Sequence, residues 1–216
     1  MYADKRGGRP SASEQSSLVL LSALSECHPK LDEHVVGVAS LAGALAVKLG
    51  LPEAEVGRVR LAAALHDVGK MAIPAAILEK RGPLSGDEWK FVHRHTVIGA
   101  RILQAAPALT QVADVVRSSH ERFDGRGYPD GLAGTEIPLA SRVIFVCDAF
   151  DAMTSERPYA AALTAEAALA ELRRNAGSQF DPVAVAALAV VLEEKAHEAP
   201  AASARPVLRL VDAASA

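Results

Sequence analysis

His34, His66, Asp67, His95, His120 and Asp148 are residue types that hold divalent metal ions, and they are spread over separate apolar or amphipathic segments of the chain. Imidazole and carboxylate are the usual ligands for manganese, iron and zinc. His66-Asp67 closes the apolar run Leu61-Ala62-Ala63-Ala64-Leu65 and precedes Val68-Gly69-Lys70, so two ionisable groups sit where a helix leaves the core. Consecutive helical residues point about 100° apart. The two side chains therefore converge on one centre only at a helix terminus, where Gly69 lets the backbone turn, or by binding two adjacent ions with the carboxylate as a bridge. Asp67 suits the bridge. A solvated polar turn is the alternative for the pair taken alone. Asp148 lies within Val143 to Phe150, an otherwise apolar stretch where a carboxylate is costly to bury unless paired or metal-bound. A surface position on an amphipathic helix is its alternative. His28, His93 and His197 read as solvated or hydrogen-bonded helix histidines.

Helices must carry these groups. Apolar residues recur three or four apart rather than alternating, and aromatics make up only 4% of the chain, so strand signals are nearly absent and the expected fold is all-α. A helix is expected from about Leu31 to Leu49, stopped by Gly50, with Pro52 opening the next, which runs to about His66. Ser85-Gly86-Asp87-Glu88 is a capping-box pattern that opens a helix ending near Gln104. Others are expected from Leu109 to His120, from Leu139 to Met153, from Ala165 to Ala176 with Thr164 as N-cap, and from Asp181-Pro182 onward. The stretch from Phe123 to Pro138, with Gly125, Gly127, Gly131 and Gly134, breaks the rhythm as a long loop of the kind that is more often functional than not. Helices that each offer ligands to a common interior are how bundles build metal sites.

The chain has 216 residues, 50% of them hydrophobic, which suits one globular domain with a buried core. Its formal net charge of -3 argues against a nucleic-acid polymer as partner, because duplex binding draws on a broad basic surface. Cys27 and Cys147 are isolated and make no disulfide framework, which fits a reducing compartment. No secretory signal and no run of ~18 apolar residues is present, so a cytoplasmic protein without a membrane segment is expected. Residues 1–16 read as a disordered segment, 17–198 as the functional domain, and 199–216 as a flexible tail.

Taken in order, His66-Asp67-Val68-Gly69-Lys70, His95, His120-Glu121-Arg122-Phe123-Asp124-Gly125-Arg126-Gly127-Tyr128-Pro129, Asp148-Ala149-Phe150-Asp151-Ala152 and Arg157-Pro158-Tyr159 resemble an HD-GYP domain. The resemblance runs from about Ser17 to Glu194. That family comprises bacterial HD-superfamily phosphohydrolases that degrade the second messenger cyclic di-GMP. It implies a helical bundle with a glycine-rich Gly127-Tyr128-Pro129 loop, two divalent metal ions with Fe or Mn foremost, and linear pGpG, or GMP on further cleavage, as product. It implies His34, His66, Asp67 and Asp148 on the first metal and Asp67, His95 and His120 on the second. It also makes Asp67 and Lys70 catalytic, and Lys70, Tyr128, Asp151 and Arg157 substrate contacts. The planar guanidinium of Arg157 suits phosphate or a guanine edge.

Three departures accompany the resemblance. Ser119 stands where most members have the first of two paired histidines, which takes a potential imidazole from the second metal. Lys30 replaces the glutamate of three-metal members, and Ala160 a basic residue. Two rival readings stay open: a receptor that binds cyclic di-GMP or a protein such as a diguanylate cyclase without turnover, and an HD phosphohydrolase acting on another cyclic dinucleotide or nucleotide. A stand-alone domain, with no attached sensor, is expected.

Overall fold

The computed structural model describes residues 11–28, 32–156 and 161–198. The order of helices is α1 (Ala12–Cys27), α2 (Asp32–Lys48), α3 (Glu53–Leu65), α4 (Ala75–Leu78), α5 (Gly86–His93), α6 (His95–Gln104), α7 (Thr110–Arg117), α8 (Leu139–Thr154), α9 (Ala165–Arg174) and α10 (Pro182–Glu198). Short 3-10 turns cover Val68–Ala72, Pro107–Leu109 and Gly134–Glu136. The described residues form no strand, only two isolated bridges, Asp124 with Ala133 and Ala176 with Phe180. The all-α expectation holds.

Sequence punctuation accounts for several boundaries. α2 ends at Gly50, whose φ of 75° admits the left-handed turn that returns its N–H to the Val47 carbonyl. The Ser85 hydroxyl accepts from the Glu88 N–H while the Glu88 carboxylate accepts from the Ser85 N–H, so the capping box forms as read. The helix it opens does not run unbroken to Gln104. At Arg94 the backbone N–H bonds the Phe91 carbonyl three residues back, a tighter turn that divides α5 from α6.

α1 corrects the reading of residues 1–16 as disordered, since it begins at Ala12. Ser11 and Glu14 form a second capping box, and Leu24 is 2% exposed where the helix packs on Val68–Ala72 and α3. Residues 1–10 and the tail 199–216 lie outside the described residues.

One core joins the elements. α2 packs on α3 and α8, and α6 packs on α7 and on Val68–Ala72. Val38, Ala42 and Leu45 of α2, Ala62 of α3, Val116 of α7 and Ile144 of α8 are fully buried there. Gly69 fixes one of these contacts. A Cβ on it would lie 1.9 Å from the His95 carbonyl oxygen, so only glycine lets the end of the His66-Asp67 segment meet the start of α6.

Candidate metal centre

His66 is the last residue of its helical turn, with φ -58° and ψ -31°, and Asp67 departs from helical geometry at φ -95° and ψ 2°. The pair thus sits at the helix terminus that its convergence requires. α2 brings His34, α6 brings His95, the end of α7 leads to His120, and α8 brings Asp148. Two groups of ligand atoms result, His34 with His66 and Asp67, and Asp67 with His95 and His120, each with its atoms within 4.8 Å of one another. Asp67 belongs to both. Asp148 Oδ1 lies 3.3 Å from His34 Nε2 and 4.0 Å from His66 Nε2, at the edge of the first group.

The histidines are aimed by their second nitrogen. His66 Nδ1 is 2.7 Å from the Ala63 carbonyl and His95 Nδ1 is 2.7 Å from the Val92 carbonyl. A carbonyl only accepts, so each Nδ1 carries the hydrogen and each Nε2 offers a lone pair to the centre. His34 Nδ1 meets Asp151 Oδ2 at 2.7 Å, which turns its Nε2 inward in the same way. Gly37, one turn further along α2, makes room for this carboxylate; a Cβ there would come within 2.7 Å of Asp151 Oδ1. Asp151, expected to contact substrate, therefore has one oxygen committed to orienting His34.

The electrostatics suit a cation. Burial favours the neutral form of Asp67, but the charges of His66, Lys70 and His95, together with the Lys70 hydrogen bond, prevail and hold the carboxyl well below its usual range. Burial raises Asp148 as well, and His66 and His120 pull it down further than burial lifts it. Burial depresses His120 to about 3 and also lowers His95, which keeps both imidazoles neutral and able to ligate. Burial opposes the charge on His34, yet its bond to Asp151 and the nearby Asp148 and Asp67 raise its pKa. Asp67 Oδ1, His95 Nε2 and His120 Nε2 are buried without a hydrogen-bond partner. Buried polar atoms are rarely left so, and two imidazole nitrogens that share a site with a carboxylate oxygen fit a divalent ion.

Of the other expected site residues, Lys70 Nζ bonds Asp67 Oδ2 at 2.5 Å. Tyr128 stacks between His120 and His93, with ring centroids 5.3 and 3.9 Å away. Arg157 lies outside the described residues, as do Lys30, Tyr159 and Ala160. Ser119 is buried and its hydroxyl donates to the Val116 carbonyl at 2.9 Å, so the second group of ligand atoms assembles without it.

Three residues named in the sequence have roles that sequence reasoning did not assign. Glu121, 1% exposed, accepts from the N–H groups of Asp130 and Gly131 through Oε1, at 2.7 and 3.0 Å. It pins the loop read as long and irregular, which also bonds Ser178 and Gln179 through the N–H groups of Asp124 and Phe123. Gly127 lets this loop pass against the backbone of Glu121 and Arg122, where a Cβ would lie 2.2 Å from the Arg122 nitrogen. His93, read as an ordinary helix histidine, is part of the ring stack. Its signal in the sequence was its position four residues after Trp89.

A helical bundle whose helix ends gather histidines around a His-Asp pair is an HD domain, and the chain belongs to the HD domain family, matched over residues 18–183. It is 46% identical over 171 residues to the cyclic di-GMP phosphodiesterase response regulator RpfG of Xanthomonas campestris pv. campestris, covering 77% of this chain and 45% of that protein. It is 39% identical over 173 residues to a cyclic di-GMP phosphodiesterase of Thermotoga maritima, covering 79% of this chain and 47% of the relative. The chain thus spans about half the length of these relatives. Its fold is shared with a cyclic GMP-AMP-specific phosphodiesterase of Vibrio cholerae, at a TM-score of 0.67 and 21% identity, covering 86% of this chain and 50% of that one. Among the described residues no helix is long and apolar enough to cross a membrane.

Proposed function

We propose that the chain is a metal-dependent phosphodiesterase that hydrolyses cyclic di-GMP to linear pGpG, with GMP as the product of further cleavage. The observation that carries this reading is the buried Asp67 shared by two sets of histidines, with the inward nitrogens of His95 and His120 left without a hydrogen-bond partner. The names of the relatives from Xanthomonas and Thermotoga support the substrate. His34, His66, Asp67 and Asp148 would hold a first divalent ion, and Asp67, His95 and His120 a second, with iron or manganese suited to this nitrogen and oxygen donor set. When bound, such ions acidify water and neutralise phosphate charge.

The chain's own residues do the rest. Asp67, kept ionised, bridges the two sets. Asp151 and the carbonyls of Ala63 and Val92 hold three imidazoles in the tautomer that ligates. Lys70 pairs with Asp67 here; with divalent ions on that carboxylate, its ammonium would be available to a non-bridging phosphate oxygen. Arg157 would be a second phosphate or guanine contact, and Tyr128 would wall the substrate side. The domain spans residues 17–198 in this reading, the substrate is a small cyclic dinucleotide, and a diguanylate cyclase is a protein partner to test by co-purification.

Two rivals separate in one assay. Anaerobically purified protein loaded with ferrous iron or manganese is given cyclic di-GMP and the products are separated by chromatography. Formation of pGpG is the expected result. Binding without turnover would establish the receptor instead, and neither would point to another nucleotide. Ser119 and Ala160 motivate the receptor reading; Ala160 lies outside the described residues, while the Ser119 hydroxyl is satisfied by backbone and the ligand sets do not include it.

A further inference from the structure

A row of rings leads outward from the candidate metal centre. His120, whose Nε2 belongs to it, stacks on Tyr128 at 5.3 Å with planes 16° apart. Tyr128 stacks on His93 at 3.9 Å and 12°. His93 meets Trp89 at 5.6 Å and 48°. The row ends in water: Trp89 is 49% exposed, although tryptophan is the largest apolar side chain and this is the only one in the chain. α5 puts Trp89 there. Residues four apart share a helix face, so the face that sends His93 to Tyr128 also presents Trp89 beside it. The α5 terminus is fixed by the Ser85 capping box and by the ion pair of Lys80 with Glu88 at 2.6 Å, so the indole stands on a set support.

An exposed indole next to stacked rings is a platform for another flat aromatic group. Stacking on such side chains tolerates any base, since every base offers a π-face, and its loss on alanine substitution weakens binding about tenfold or more. A cyclic dinucleotide brings such a group with each phosphate, joined through one sugar.

We propose that Trp89, with His93 behind it, is the stacking platform for a purine base of the substrate whose phosphodiester lies at the metal centre. This rests on the reading of the chain as a cyclic dinucleotide phosphodiesterase. Trp89 makes no contact with the reacting atoms; it binds and positions a base.

Because Trp89 is the sole tryptophan, its fluorescence reports the contact directly. Stopped-flow mixing of the manganese-loaded full chain with cyclic di-GMP gives a saturable quench that recovers as substrate is consumed, while inorganic phosphate gives none. Trp89→Ala raises KM for cyclic di-GMP about tenfold with kcat changed less than twofold, and Trp89→Phe, which keeps a stacking face, restores most of the loss. Inhibition by inorganic phosphate, which carries no flat group to stack, keeps the same constant in both variants. Turnover of cyclic di-GMP without any change in tryptophan fluorescence, or an equal weakening of cyclic di-GMP and inorganic phosphate in Trp89→Ala, overturns the platform and leaves the phosphodiesterase reading intact. Hydrolysis of bis(p-nitrophenyl) phosphate with neither binding nor turnover of cyclic di-GMP overturns both.

Discussion

Asp67 is the one carboxylate common to both sets of ligand atoms, so its removal separates a shared centre from two independent ones. Asp67→Ala is expected to lower metal content from about two ions per chain to less than one and to abolish hydrolysis, because each ion loses a ligand and the neighbouring imidazoles lose their counter-charge. Elemental analysis of the folded variant is the measurement, and retention of two ions would show that the bridge lies elsewhere. The sequence made this residue visible through the apolar run before it and Gly69 after it. The partner that aims His34 was not legible as such: Asp151 is 117 residues away, and nothing in the spacing says that α8 lays it beside the imidazole. Orientation by a distant side chain is a property of packing, which local pattern does not encode.

At the scale of elements, the segment after His120 is organised by Glu121. Glu121→Ala leaves the N–H groups of Asp130 and Gly131 without their acceptor, at a cost of about 1–3 kcal/mol for an unsatisfied buried group. The variant should melt lower and lose activity, whereas Glu121→Gln, which keeps one carbonyl oxygen, should lie close to the parent. Thermal melts with parallel assays check this, and similar behaviour of the two variants would remove the acceptor role. Helix boundaries were legible where local chemistry sets them, as at Gly50 and Ser85. The break at Arg94 and the pinning of the glycine-rich segment were not, since the first depends on a single tightened hydrogen bond and the second on a carboxylate reaching ten residues ahead.

For the whole molecule, α1 belongs to the fold. Its capping residues Ser11 and Glu14 follow the same pattern as Ser85 and Glu88, but the small polar residues around them masked the signal. Leu24→Ala is expected to cost about 2–4 kcal/mol, as for a fully buried leucine, and a change below about 0.5 kcal/mol in chemical denaturation would mean that α1 is dispensable. Stability should also depend on pH in the metal-free chain. His120 has a folded pKa of about 3 against an ordinary value of 6.5, so its contribution is complete above 6.5 and is lost as pH falls toward 3. Between pH 7 and pH 5 the unfolded chain takes up the proton and the folded chain does not, a loss of about 2 kcal/mol. His95 acts in the same sense; His34, with its raised pKa, acts in the opposite one; Asp67 and Asp148 matter only below their ordinary 3.8. Denaturant unfolding at the two pH values, with chelator present, should show the drop, and equal stability would contradict it.

The segment from Glu121 to Pro138 is tied along both edges, by the Glu121 carboxylate, by Arg117 on Asp130 at 2.7 Å, and by the carbonyls of Ser178 and Gln179. A shutter needs one free edge. The described part of this loop is instead held in one shape by its own hydrogen bonds, and a ligand that meets it meets that shape already made.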